Sequence, residues 1–472
     1  MTRNTLWTDK SAADATSGEA TEAFEADGVA FDSRQVADRD LFVALKGEQS
    51  DGHNYVTRAF EKGAAAAMVE RQPDEPTGPL LLVVDTARGL GDLARAARRR
   101  TRARIAAVTG SVGKTGTKDA LHHVLAAQGA THVSEKSFNN HVGTPLSLAR
   151  MPIETSFGIF EVGTNAPGEI APLSGLVSPH VALVTTVEAV HLGNFADETA
   201  VAEEKAAIFD ALEEGGTALI NADNRHADRL TARAMASSAG RIATFGSGED
   251  CDHRLIDWAP DVEGGTVTAA IDGVLHTYRL VLSGHHHALN SVAILAVVHH
   301  LGADVAEASR SLAAIEPSPG RGRRYRVALP AGAAIVIDES YNASPVAVRA
   351  ALKVLADMPL GSEGRRLAVL GDMLELGPTE GDAHAGLASD VISAQVDLLF
   401  AVGPLMNRLY GEMSPSRRGG AAGDARTMAI LLKQVIRPGD VILVKGSRRI
   451  GLEAVVESLL ANDGPAKAAE GR

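Results

Sequence analysis

The chain has 472 residues, 45% of them hydrophobic and 22% charged, with a formal net charge of −13. That is the composition of an ordinary globular protein with room for roughly three domains, and its negative charge argues against non-specific binding to nucleic acid or an anionic membrane. Cys251 is the one cysteine, which excludes an internal disulfide or a thiolate metal cluster.

Residues 1–103 read as a small α/β domain, with strands expected at 28–31, 41–45 and 80–84 and helices at 55–69 and 87–100. The segment MTRNTLWTDK has no apolar signal region, and no run of about 18 apolar residues occurs. A cytoplasmic protein without integral membrane association is therefore expected. Polar turns at Asp32-Ser33-Arg34 and from Lys46-Gly47 to Asp51-Gly52-His53 carry groups able to bind an anion. The basic run at 98–104, RRRTRAR, reads as a solvated helix end and linker.

A second domain is expected over 104–318, where strands and helices alternate as in a parallel sheet covered on both faces. Buried strands are predicted at 105–108, 157–162, 181–187, 218–221 and 242–245. Between 252 and 282, short runs broken by Gly264-Gly265 and Asp272-Gly273 predict appended antiparallel hairpins. Helices follow at 288–301 and 305–315, and Pro317, Pro319, Gly320 and Gly322 mark a linker. Over 319–472 a further βα series, with strands at 334–337, 367–370, 398–402 and 441–444, predicts a Rossmann-like parallel sheet; the tail from Asp463 is expected to be mobile.

The strongest local signal is at 105–118, IAAVTGSVGKTGTK. A β-branched strand runs into a Gly-rich turn and then a helix, so that Thr109, Gly110, Ser111, Val112 and Gly113 can wrap backbone amides around phosphates. Lys114 would reach the terminal phosphates and Thr115 would place its hydroxyl on Mg²⁺. Val108 stands where the full phosphate-loop pattern has its first glycine, leaving the shorter GxxGKT.

Other candidates fall at the carboxyl ends of predicted strands, where doubly wound folds bind ligands. Glu161 and His191 are two such residues, able to hold a divalent metal beside a nucleotide, although a histidine satisfied by its neighbours is the competing reading for His191 alone. Lys205, among Glu203, Glu204 and Asp210, has the pattern of a solvated helix lysine. His285-His286-His287 cannot converge on one ion, because successive helix residues point about 100° apart. Asp338 to Pro345 (DESYNASP), Gly371-Asp372-Met373 and Lys445-Gly446-Ser447-Arg448 follow later strands and offer further polar turns.

Set in order, FDSRQVADRDLFVALKGEQSDGH, TGSVGKTGTK, SFNNHVGTPLSLAR, FEVGTNAPGEIAPL, VHLGNF, NADN, GRGRR, DESYNASP, VLGDMLELG and VKGSR resemble the Mur ligases, ATP-dependent amide-forming enzymes of peptidoglycan precursor synthesis. NNHVGTPL, GTNAPGEI and LGDMLELG are similar to the branch that joins D-alanyl-D-alanine to a UDP-N-acetylmuramoyl-tripeptide. The resemblance implies an N-terminal domain for the UDP-sugar end, a central ATP-binding domain and a C-terminal domain that closes over ATP, working as a monomer with two Mg²⁺ ions. By the same analogy Lys114 binds phosphate, Thr115 and Glu161 hold one Mg²⁺, and His191 serves the second. Lys205 falls where the family has a lysine carbamylated by CO₂. Asn290, Arg321, Asp338 and Asn342 match positions that clasp the adenosine and phosphates. Ser33 and Arg34 match the uridine-diphosphate region, while Asn139, Asn140 and Asn165 fall where the peptide or dipeptide end is handled. Ser344 replaces the second Asn of the common YNANP, Gly193-Asn194-Phe195 a more usual Glu-x-Phe, and Thr164 and Ala166 flank Asn165 where other residues are frequent. Two other readings are a sibling ligase that adds a single amino acid and a non-catalytic nucleotide sensor.

Overall fold

Among the described residues, short apolar runs separated by polar turns become three sheets of five or more strands, built mainly by parallel pairing of buried strands, and one antiparallel pair, Trp7–Thr8 with Glu25–Ala26. The computed structural model describes residues 5–47, 50–73, 78–135, 138–189, 193–261, 263–361 and 363–461. It divides into two compact units, one comprising Met1–Thr185, Ala202–Thr244 and Ala296–Val305, the other Thr186–Val201, Phe245–Leu295 and Ala306–Arg472.

Besides that pair, the first unit holds two larger sets of paired strands. In the five-stranded one the order is Glu19–Ala20, Leu80–Leu82, Ala66–Val69, Asp40–Val43, Gly28–Ala30, parallel except at the first pairing. Here the expected helix over 55–69 needs correction. It is confined to Val56–Glu61, and Ala66–Val69 is a strand buried along its whole length. The run AAAAMV has no polar face to present to water, so parallel pairing on both sides wins over helix continuation.

The second sheet of this unit runs Thr217–Asn221, Val181–Val184, Arg104–Thr109, Phe157–Glu161, Thr131–Val133, all parallel. Register sets Glu161 opposite Val108 and Val184 opposite Thr109, so Glu161, Thr109 and Thr185 reach one carboxyl edge together. Arg241–Gly246 continues the order beyond Thr217–Asn221.

The arginine run also departs from the solvated linker expected of it. Arg98, 13% exposed, donates to the carbonyls of Val177 and Ser178 and pairs with Glu213. The Arg100 guanidinium lies 4.2 Å from the centre of the Trp7 ring and donates to Leu6 O, while the indole of Trp7 donates to Ala149 O at 2.9 Å. These guanidiniums bind the backbone ends of elements remote in sequence, a use suited to their fixed fork of donors.

In the second unit, His253–Asp261, Gly264–Ile271 and Val274–Leu280 form the predicted antiparallel hairpins. Its six-stranded sheet runs Arg323–Leu329, Gly332–Glu339, Val441–Lys445, Arg366–Gly371, Leu398–Val402, Arg418–Ala422. Only the first pairing is antiparallel. The two outer strands, Arg323–Leu329 and Arg418–Ala422, are additions to the predicted set; RGGAA has little of the β-branched character that marks a strand. Among the described residues no helix is long and apolar enough to cross a membrane.

Candidate active site

The phosphate loop follows the strand Arg104–Thr109 and opens the helix Lys114–Ala126. Gly110 and Gly113 have φ of 147° and 88°, conformations that a side chain would strain, and they let the loop curl before the helix begins. Lys114 Nζ donates to Gly110 O at 2.6 Å, so its ammonium arches over the loop. Beneath it, the Thr185 hydroxyl donates to Val112 O at 2.6 Å, and Asn221 donates to Thr185 O at 2.8 Å. Successive amides at a helix start, held in place by a neighbouring strand, form an anion receptor.

Glu161 is 2% exposed at the end of Phe157–Glu161. Its Oε1 accepts from Asn139 Nδ2 at 2.7 Å, whereas Oε2 is buried without a hydrogen-bond partner. Gly163 allows this approach, since a Cβ there would lie 2.5 Å from the Asn139 amide carbon. Such an oxygen left over in a buried site fits a hard cation. Lys118, 2% exposed and one helical turn beyond Lys114, donates to Ser134 O, and Ser134 Oγ in turn accepts from the Glu161 amide.

Lys205 overturns the solvated-lysine pattern. It is 2% exposed, and burial, followed by the charge of Lys114, pushes its pKa well below the ordinary 10.5, with Glu204 partly opposing. Desolvation and the nearby Lys114 charge therefore both disfavour the ammonium form of Lys205.

The remaining candidates of this unit lie in turns. The ring of Phe31 meets Phe138 edge-on at 6.2 Å, which brings the turn after Gly28–Ala30 to the segment carrying Asn139 and Asn140. In that turn Ser33 is buried, and Arg34 pairs with Asp32 at 2.8 Å. Asn140 Oδ1 accepts from Gly143 N at 2.9 Å, at the start of Gly143–Ala149. Asn165 sits in a turn where Glu169 accepts its amide at 2.7 Å. His53, in the other anion-suited turn, is engaged at both nitrogens: Nδ1 meets Asp51 Oδ1 at 2.6 Å and Nε2 accepts from Glu70 N at 2.9 Å, a structural use of the ring.

Asn290, Arg321, Asp338 and Asn342 belong to the second unit. Asp338 is 4% exposed and accepts from Gly320 N, Ser340 N and Ser340 Oγ at 2.8, 3.1 and 2.6 Å. It thereby sets the pair in which Arg321 stacks on the Tyr341 ring at 3.9 Å, with Arg448 at 5.1 Å from the same ring. Asn342 Oδ1 accepts from Ala343 N, and its carbonyl accepts from Lys445 Nζ, which also pairs with Glu339 at 3.1 Å. Ser344, the replacement for Asn, caps the helix Pro345–Asp357, which serine does well. Asn290 lies on the helix His285–His300.

His191 lies outside the described residues. Three residues that sequence reasoning left without a role, Thr185, Asn221 and Glu204, brace the site; the strand-end position of Thr185 and the NADN turn after Thr217–Asn221 were available signals, whereas Glu204 had none.

The Mur ligase family catalytic domain matches residues 25–98, the Mur ligase middle domain 108–298, and the Mur ligase glutamate ligase domain 322–448. The chain is 33% identical over 443 residues to the UDP-N-acetylmuramoyl-tripeptide–D-alanyl-D-alanine ligase of Escherichia coli, covering 92% of this chain and 94% of that one. It is 32% identical over 438 residues to the Bacillus subtilis enzyme of the same name, covering 92% and 93%. Crystallised MurF from Acinetobacter baumannii superposes with a TM-score of 0.85 at 26% identity, over 96% of this chain and 99% of that one. MurF of Thermotoga maritima in complex with ADP gives 0.77 at 26% identity, over 92% and 97%. With three domain matches in order and relatives aligned over nine-tenths of its length, the chain belongs to the Mur ligase family.

Proposed function

We propose that the chain is an ATP-dependent, ADP-forming ligase that joins D-alanyl-D-alanine to the terminal carboxylate of UDP-N-acetylmuramoyl-tripeptide, a step of peptidoglycan precursor synthesis. The observation that carries the site reading is the buried Lys205 amine beside Lys114 of the phosphate loop. In this reading residues 1–103 take the UDP-sugar end through Ser33 and Arg34, 104–318 bind ATP, and 319–472 contribute Arg321, Asp338 and Asn342, with Asn290, to the nucleotide. The protein works in the cytoplasm as a monomer.

A carboxylate is a poor electrophile, so the reaction first supplies it with a leaving group. The tripeptide carboxylate oxygen attacks the γ-phosphorus of ATP, the bond from that phosphorus to the bridging oxygen breaks, and ADP leaves an acyl phosphate. The D-alanyl-D-alanine amine then adds to the acyl carbon and loses its proton; collapse expels phosphate and leaves the amide. Lys114 and the amides of Thr109 to Thr115 hold and offset the phosphate charge, the main source of catalysis in phosphoryl transfer. Mg²⁺ held by Thr115 and Glu161, and a second ion served by His191 and carbamylated Lys205, would supply further positive charge to the phosphates. Asn139 keeps Glu161 in place, and Asn140 and Asn165 orient the peptide ends.

Mass spectrometry of the product tests this. Incubation with Mg-ATP, the UDP-muramoyl tripeptide and D-alanyl-D-alanine should yield an adduct heavier by the dipeptide less water, dependent on ATP. Adducts formed with single amino acids instead would move the assignment to a sibling ligase, and absence of turnover would favour a nucleotide sensor.

A further inference from the structure

The helix Glu198–Ala206 carries two consecutive carboxylates with opposite surroundings. Glu203 is exposed and pairs with Arg229 at 2.7 Å. Glu204 is buried, and each of its oxygens accepts one backbone amide at 2.7 Å, Oε2 from Gly168 and Oε1 from Ile170. Those amides head the helix Ile170–Val177, whose own N-cap residue, Glu169, makes no capping bond to it. Glu169 instead turns back to the amides of Asn165 and Ala166, and Thr164 Oγ1 donates to Ala166 O. The turn that carries Asn165 is therefore closed on itself, and Glu204 ties its far end to the helix of Lys205.

Glu204 and Lys205 share one helix, so the two amide bonds to the Glu204 carboxylate link the backbone that carries Lys205 to the head of the helix Ile170–Val177. Two amide donors held by one ionised acceptor are short, strong bonds in a buried setting. No neutral side chain reproduces them: glutamine offers one acceptor and turns an NH₂ towards the other amide.

We propose that Glu204 is a positioning residue of the ligation reaction, holding the Asn165 turn in register with Lys205 and so aligning the bound peptide substrates with the phosphate loop. The proposal rests on the ligase reading above.

Steady-state kinetics of the full-length Glu204→Gln and Glu204→Ala variants, with Glu203→Ala as control, test it alongside hydrogen exchange. Glu204→Gln should raise KM for the peptide substrates about tenfold and KM for ATP by much less, with Glu204→Ala more affected and Glu203→Ala like wild type. The amides of Gly168 and Ile170 should exchange slowly in the wild type and quickly in Glu204→Gln. Faster exchange with unaltered peptide KM would overturn the positioning role and leave a structural cap. An equal rise in KM for ATP, or fast exchange in the wild type, would also overturn it. If Glu204→Ala fails to fold, Glu204→Gln and wild-type exchange still decide. Failure of the wild type to ligate in the same assay would instead refute the ligase reading.

Discussion

Two strand-end turns, one in each unit, use buried acids in contrary ways. After Arg104–Thr109 and Phe157–Glu161, the acid Glu161 keeps one buried oxygen without a partner beside a loop of amide donors. At the end of Gly332–Glu339, Asp338 accepts three hydrogen bonds and Lys445 is paired with Glu339. A buried polar group satisfied by its own fold is scaffold, whereas one left over marks where a ligand completes the set. The first turn thus resembles a receptor for phosphate and metal; the second sets the pose of the Arg321–Tyr341 stack.

The contrast can be tested from its largest consequence down. Lys205→Ala should lower ligation by about 10²- to 10³-fold and abolish any response to added bicarbonate; near-normal, bicarbonate-independent turnover would remove the carbamate from the mechanism. Glu161→Gln should cost kcat about 10²-fold while the urea midpoint hardly moves, since Oε2 has no internal partner and the amide oxygen that remains can still accept from Asn139. Asp338→Asn should do the reverse, lowering unfolding free energy by about 2 kcal/mol with a modest rise in KM for ATP. Equal losses of turnover without loss of stability in both variants would break the distinction.

Smaller effects separate buried from exposed cations. Arg98→Ala, which strands two carbonyls, should destabilise by about 1–2 kcal/mol, whereas Arg229→Ala, which breaks an exposed pair, should cost under about 1 kcal/mol. The least local effect is on pH. Burial pushes His132 and His180 in the first unit, and His287 in the second, from 6.5 down to about 4. Each binds fewer protons folded than unfolded, so its stabilising contribution is complete above pH 6.5 and is lost as pH falls from there towards 4. Urea midpoints measured across that window should decline, and a His132→Gln/His180→Gln variant should show a shallower slope.

Much of the architecture is local and was readable. The β-branched strand at 105–108, the glycines that follow it and the helix from Lys114 are decided by neighbours in sequence, through backbone freedom and side-chain periodicity. The hairpins broken at Gly264-Gly265 and Asp272-Gly273 are equally local. Glu161 was placed at a strand end by its own sequence, and register alone set it beside Thr109.

What failed to show were the properties made by distant elements. Residues 64–69 have no periodicity to separate strand from helix, and only parallel pairing with Asp40–Val43 and Leu80–Leu82 decides between them. The arginines at 98 and 100 look solvated until carbonyls at 177, 178 and 6 are brought to them. Lys205 is identical in sequence pattern to a surface lysine. Its burial, and with it the depressed pKa, exists only once residues 202–206 are packed within the unit that holds the phosphate loop. Local sequence thus determines elements and the residue types at their ends; desolvation and the pairing of charges depend on tertiary packing, because they are properties of surroundings drawn from the whole chain.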